Sequence, residues 1–229
     1  MQGMVTRRFR NRTRAGWPVM FSSVEASEAE KKTGRPGDTL VEPADVVMDR
    51  AFTVAAPPEA VWPWLVQLGK RRAGWYLPRA IERFLPGSRR AARTLNPAWL
   101  RLEAGDVIPD YGGRNETFRV AQITPPCALV YRSRRGRTSL TWSLALESVS
   151  SEPGRSRVFL RLRMAPVRHK LLARTAGELI DLLTVAGMAA GLAERLRDRE
   201  ADHDHRAAAH DQAARPAFGP SEDHDGAAG

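Results

Sequence analysis

Cysteine occurs once in these 229 residues, at Cys127, so no intramolecular disulfide can staple the fold, and the composition suits a reducing compartment. Histidine is almost missing from the middle of the chain. Only His169 lies between the two ends, so Ser–His or Cys–His nucleophilic chemistry and histidine-based metal sites lack parts. No glycine-rich phosphate loop, dinucleotide fingerprint or internal repeat is present, and no cofactor is expected. Long apolar runs are lacking too. No apolar stretch of signal-peptide length follows the basic N-terminus. The longest weakly polar run, Leu182 to Ala193, is too short to span a bilayer and is preceded by Asp181. These absences predict a soluble, cytoplasmic protein with no transmembrane segment.

Arginine is what the chain has in excess. The net charge is +10, and it is unevenly spread. Residues 1–40 carry 8 basic against 4 acidic side chains, residues 41–200 carry 26 against 16, and residues 201–229 carry 2 against 6. Both ends have few periodic apolar positions and are predicted to be disordered, because they bury too little to offset their ordering entropy. About 160 residues, 41–200, remain for one domain.

That domain is organised around Asp45–Tyr76. Val46, Met48, Phe52 and Val54 share one face at period two, with Arg50 interrupting it. Pro57-Pro58 stops the strand and Pro58 opens a helix, since its φ is already set for a first turn. Ala60, Val61, Trp64, Leu65 and Leu68 follow at helical spacing. Pro63 predicts a kink, and Gly69 ends the helix. A second short helix is predicted over Leu77–Leu85, and a short strand at 105–109. Four hairpin-spaced strands follow at Glu116–Ile123, Ala128–Arg134, Thr138–Glu147 and Arg155–Met164. The last two alternate apolar with polar residues, so one face of the sheet is apolar and the other wet. The covering layer is a helix over 167–199, with a predicted stripe through Leu172, Ala176, Leu179, Leu183, Ala186, Ala190 and Ala193. Gly187 and Gly191 in its interior imply that something approaches closely there.

The fold class is therefore α+β. The segments AAPPEAVWPWLVQLG (55–69), GWY (74–76), GDVIP (105–109), FRVAQITPPCALVYRS (118–133) and LTWSLAL (140–146) resemble the SRPBCC superfamily. These are START-like, polyketide-cyclase-like and lipid-transport-like helix-grip proteins, and the resemblance covers roughly residues 45–200. It implies a curved antiparallel sheet around a long C-terminal helix, two short helices after the first strand, and an apolar cavity that takes a small hydrophobic molecule. A minority of such proteins catalyse cyclisation or hydrolysis, so the same cavity would alternatively house a carboxylate and a tyrosine for catalysis.

Candidate cavity residues are the aromatics with polar handles, Trp75, Tyr76, Trp99, Tyr111, Tyr131 and Trp142. Arg50, on the inward face of the first strand, would need a partner and is the candidate anchor for an anionic head group. Asp106 and Asp110 flank a predicted mouth loop, with either turn or acid–base roles. A third reading of a different class is a basic module. Arg132, Arg134, Arg157, Arg161 and Arg163 would form an outward face for an anionic surface, with Phe159 the one outward aromatic among them.

Overall fold

The computed structural model describes residues 24–214, with side chains placed throughout except at Arg174 and 209–214. Six antiparallel strands form one sheet in the order β1-β6-β5-β4-β3-β2. They are β1 (Val46–Val54), β2 (Val107–Pro109), β3 (Thr117–Thr124), β4 (Ala128–Arg135), β5 (Thr138–Ser148) and β6 (Ser156–Ala165). Strands β2 to β6 run as a meander, and β1 closes the far edge by pairing with β6, Phe52 opposite Val158. Gly136 and Gly154 take positive φ in the β4–β5 and β5–β6 turns, where a residue with a Cβ would be strained. A register shift between Val120 and Gln122 in β3 adds the local twist by which a sheet curves.

Helix α2 (Pro58–Gln67) is capped by Pro57 and buries Val61, Trp64, Leu65 and Val66. It stays α-helical through Pro63, and burial of the flanking Val61, Trp64 and Leu65 offsets the hydrogen bond that proline removes. Helix α3 is only Arg79–Glu82, shorter than the apolar spacing suggested, because Pro86-Gly87 leads straight into a 3₁₀ turn.

The C-terminal helix begins as α4 (Lys170–Leu172), passes through a π turn (Ala173–Gly177) and continues as α5 (Glu178–Ala214). Its buried face is Val185, Ala186, Met188, Ala189, Leu192 and Leu196. The stripe expected from spacing is corrected at its N-terminal end. Leu172, Leu179 and Leu183 are more than half exposed, because the side of the helix turned to the sheet carries Gly177, Asp181 and Val185 instead. By length and composition Lys170–Ala208 would suffice to cross a membrane, but its middle is the core helix of this sheet, and Arg195 within it is fully buried in an ion pair with Glu82.

Residues 24–40 and 201–214, parts of the two ends predicted to be disordered, are ordered. Residues 24–41 form a second layer on the outer face of the sheet: Val24 and Ala26 are buried, and helix α1 (Glu28–Lys32) is closed by a Ser27–Glu30 capping box. Ala26 packs with Ala51, Ala145 and Phe159 in a small outer core. Phe159, expected to be exposed, is 7% accessible and lies under the Arg35 guanidinium, 3.7 Å from the ring centroid. At the other end α5 runs past residue 200 to Ala214, because Ala207–Ala209 and Ala213–Ala214 are strong helix formers. Residues 1–23 and 215–229 of the two predicted arms lie outside the described residues.

Candidate functional site

Between the inner face of the sheet and the start of the C-terminal helix lies a cavity of about 550 Å³. Its sheet wall is Met48 on β1, Phe118 on β3, Leu140 and Trp142 on β5, and Leu162 and Met164 on β6. Its helix wall is Gly177, Ile180, Asp181, Thr184 and Val185, and the loops add Trp75, Asp110 and Tyr111. The lining is predominantly apolar, as strand alternation requires of a sheet whose inward positions face a helix.

One ring organises that wall. Trp142 stacks on Tyr131 (centroids 5.7 Å, interplanar 21°) and on Trp75 (5.9 Å, 27°), with Phe118 tilted against it at 5.9 Å. Tyr111 meets the other edge of Trp75 at 6.0 Å. Trp75 Nε1 donates to the Thr184 carbonyl at 3.1 Å, tying this stack to the helix. The rings line one side of the hollow and leave it open.

Two ion pairs mark its polar ends. Asp181 reaches Arg50 Nε at 2.9 Å, an ion pair not aligned as a hydrogen bond, while Arg50 Nη2 donates to the Glu178 carbonyl at 3.0 Å. Burial pushes the Asp181 carboxyl above its usual range, against the pull of the Arg50 guanidinium. At the mouth, Arg135 pairs with the buried Asp110, whose carboxylate also accepts the Gly112 N–H. Lys70 Nζ donates to the carbonyls of Asp110 (3.0 Å) and Gly113 (2.6 Å), so the 110–113 loop is fastened from beneath.

The candidates therefore separate. Trp75, Tyr111 and Trp142 line the cavity, and Tyr131 backs it. Tyr76 is buried on the far side, where its hydroxyl donates to the Trp64 carbonyl at 2.8 Å under the Arg195 guanidinium. Trp99 is half-buried in a 3₁₀ turn (Pro97–Trp99) and its carbonyl accepts from Arg72. Arg50 has the partner its burial demands, but that partner is Asp181, so its charge is already neutralised inside the protein. Asp106 is exposed and caps the turn at Glu103. Met164, Ile180 and Arg135 also border the cavity, and the sequence alone did not single them out. Period-two alternation places Met164 inward and helical spacing puts Ile180 at the edge of the apolar stripe, whereas nothing in the pattern marks Arg135. Among the described residues, no group of three His, Cys, Asp or Glu side chains is placed to hold a metal ion.

No family model and no curated protein matches this sequence. Solved structures similar to it include CalU16 from Micromonospora echinospora, at 15% identity over 67% of this chain and 83% of that chain, TM-score 0.37. A protein from Rhodobacter sphaeroides matches at 16% identity over 69% of this chain and 96% of that one, TM-score 0.44. A polyketide-cyclase-like protein from Corynebacterium glutamicum matches at 10% identity over 72% and 97%, TM-score 0.35. The strand order and the helix packing above define the helix-grip arrangement by themselves.

Proposed function

We propose that the protein binds a small hydrophobic molecule in the cavity between the sheet and the C-terminal helix. The observation that carries this is the lining: Met48, Phe118, Trp142, Leu162 and Met164 face a hollow of about 550 Å³, within the size range of small-molecule sites. Had no ligand been accommodated, well-packed interiors lead one to expect these side chains to close on one another. Tyr111 and Ile180, 51% and 65% exposed, rim the mouth and give an apolar entry. The Asp110–Arg135 pair there supplies polar handles for orienting a ligand.

Filling the hollow tests the proposal. Leu162→Trp is expected to weaken binding of the fluorescent probe 1-anilinonaphthalene-8-sulfonate by about ten-fold while the circular dichroism spectrum is retained. Unchanged probe affinity in a folded variant would refute the cavity as the site.

A second reading, catalysis in the same cavity, is supported by Asp181. Its carboxyl lies in the cavity wall, and burial pushes it above its usual range against the pull of Arg50, the direction in which an acid is tuned. Asp181→Asn separates the two readings, since it abolishes turnover of a ligand if there is one and leaves simple binding in place.

A further inference from the structure

The outer face of the sheet carries two sets of arginines in opposite circumstances. On β6, Arg157 pairs with Glu30 at 2.9 Å, and Arg161 pairs with Asp49 at 2.6 Å and Asp38 at 2.8 Å. Arg163 pairs with Asp38 at 3.8 Å and donates to the Val41 carbonyl at 3.1 Å. The broad basic face expected from sequence is thus cut down, because the 24–41 layer neutralises three of its five members. On β3 and β4, by contrast, Arg119, Arg132 and Arg134 are exposed, and among the described residues no carboxylate pairs with them.

Arg119 and Arg132 stand directly opposite each other across the β3–β4 ladder, a like-charge cross-strand pair that costs stability. Arg134 follows on the same face. Together they line an open groove of about 490 Å³, whose other wall is Leu40, Val41 and Val107. Backbone contacts hold two of the guanidiniums: Arg119 Nη1 donates to the Gly105 carbonyl at 2.7 Å, and Arg134 Nε to that of Gly136 at 3.3 Å. Most of their donors remain open. Residues 1–23 contain no aspartate or glutamate and so cannot supply the missing charge.

We propose that this groove is a second binding site, for a small molecule carrying a phosphate or diphosphate on an apolar body. A guanidinium fork matches phosphate oxygens bidentately, which makes arginine the fitting residue here. Two residues along a strand span about 7 Å, so the three guanidiniums reach one or two phosphates and not a polynucleotide track. Leu40 and Val107, each about half exposed, offer the apolar body a wall in place of water.

Isothermal titration of the full chain with inorganic pyrophosphate and with hexyl phosphate, and with inorganic phosphate as the reference, at low ionic strength, tests this. Saturable binding of both is expected, with hexyl phosphate tighter than inorganic phosphate. Arg132→Gln should weaken it by at least about ten-fold. Arg89→Gln, an equal charge change at an exposed arginine outside the groove, should weaken it by less than about two-fold. Arg132→Gln should also melt no lower than the parent, since it relieves the facing charge of Arg119. Absence of saturable binding, or equal losses in the two variants, would overturn the proposal. So would binding confined to phosphatidate vesicles. A large gain in affinity on replacing Glu222, Asp223 and Asp225 by their amides would instead assign the groove to the chain's own acidic end. None of these outcomes touches the cavity on the opposite face.

Discussion

Arg195 shows how a single charged side chain is made tolerable in a core. It is fully buried, and its donors go to the Glu82 carboxylate at 2.7 Å and to the carbonyls of Leu77, Gly191, Ala91 and Ala92. Burial alone would raise the Glu82 carboxyl, yet hydrogen bonds from Arg195 and Arg93 hold it below its usual range. Replacing Arg195 by methionine strips the Glu82 carboxylate of one of its two guanidinium partners and takes a donor from each of four carbonyls. A loss of about 3–5 kcal/mol is expected in urea unfolding. Glu30 is a gentler case on the surface. Its hydrogen bond to Arg157 lowers its carboxyl from 4.5 to about 2 in the folded state. A depressed folded value means the stabilisation is present above the unfolded value and is lost as pH falls through the folded one. Glu30→Gln should therefore melt lower than the parent near neutral pH, by about 1 kcal/mol or less. The gap should narrow between pH 4.5 and about 2 in thermal scans.

At the scale of elements, the two glycines of α5 differ. A Cβ on Gly191 would sit 2.6 Å from the Leu77 nitrogen and 2.7 Å from the Tyr76 carbonyl carbon, both backbone atoms that cannot move aside. A Cβ on Gly187 would meet only the end of the Leu77 side chain, at 2.8 Å. Helix propensity favours alanine at both by about 1 kcal/mol. Gly191→Ala should nonetheless destabilise by about 2 kcal/mol, whereas Gly187→Ala should be close to neutral, as read from denaturant midpoints. The close approach implied by the sequence is therefore real at Gly191, and what approaches is the 76–77 loop. The elements themselves were largely legible: the six strands lie where alternation and the breaks at Pro125-Pro126, Arg135-Gly136-Arg137 and Pro153-Gly154 put them. The register of α5 was not, because two apolar stripes compete on it. Leu183 and Leu192 lie on opposite faces of the helix, and only its packing on the sheet decides that the face of Leu192 is the buried one.

For the whole molecule, the 24–41 layer matters most. It looked like a polar arm because its apolar contribution is small, Val24, Ala26 and Val41, and its hold on the sheet is mainly ionic. The Ser27–Glu30 capping box was the one local signal of order there. Removing residues 1–40 would uncover Ala51, Ala145 and Phe159 and leave Arg161 without Asp38. The shortened protein should lose about 3 kcal/mol or more, measured by urea unfolding, and should bind more 1-anilinonaphthalene-8-sulfonate through its newly exposed outer face.

The sequence alone determined the element order, the apolar inner face and the arginine excess, because each is written in nearest-neighbour periodicity or composition. Only the tertiary structure decided which aromatics meet. Trp75, Tyr111, Phe118, Tyr131 and Trp142 come from five separate segments and gather at one wall, while Tyr76 and Trp99 go elsewhere. It likewise decided which arginines are neutralised. Ion pairing depends on contacts between residues over a hundred positions apart, such as Arg161 with Asp38, and no local pattern encodes those.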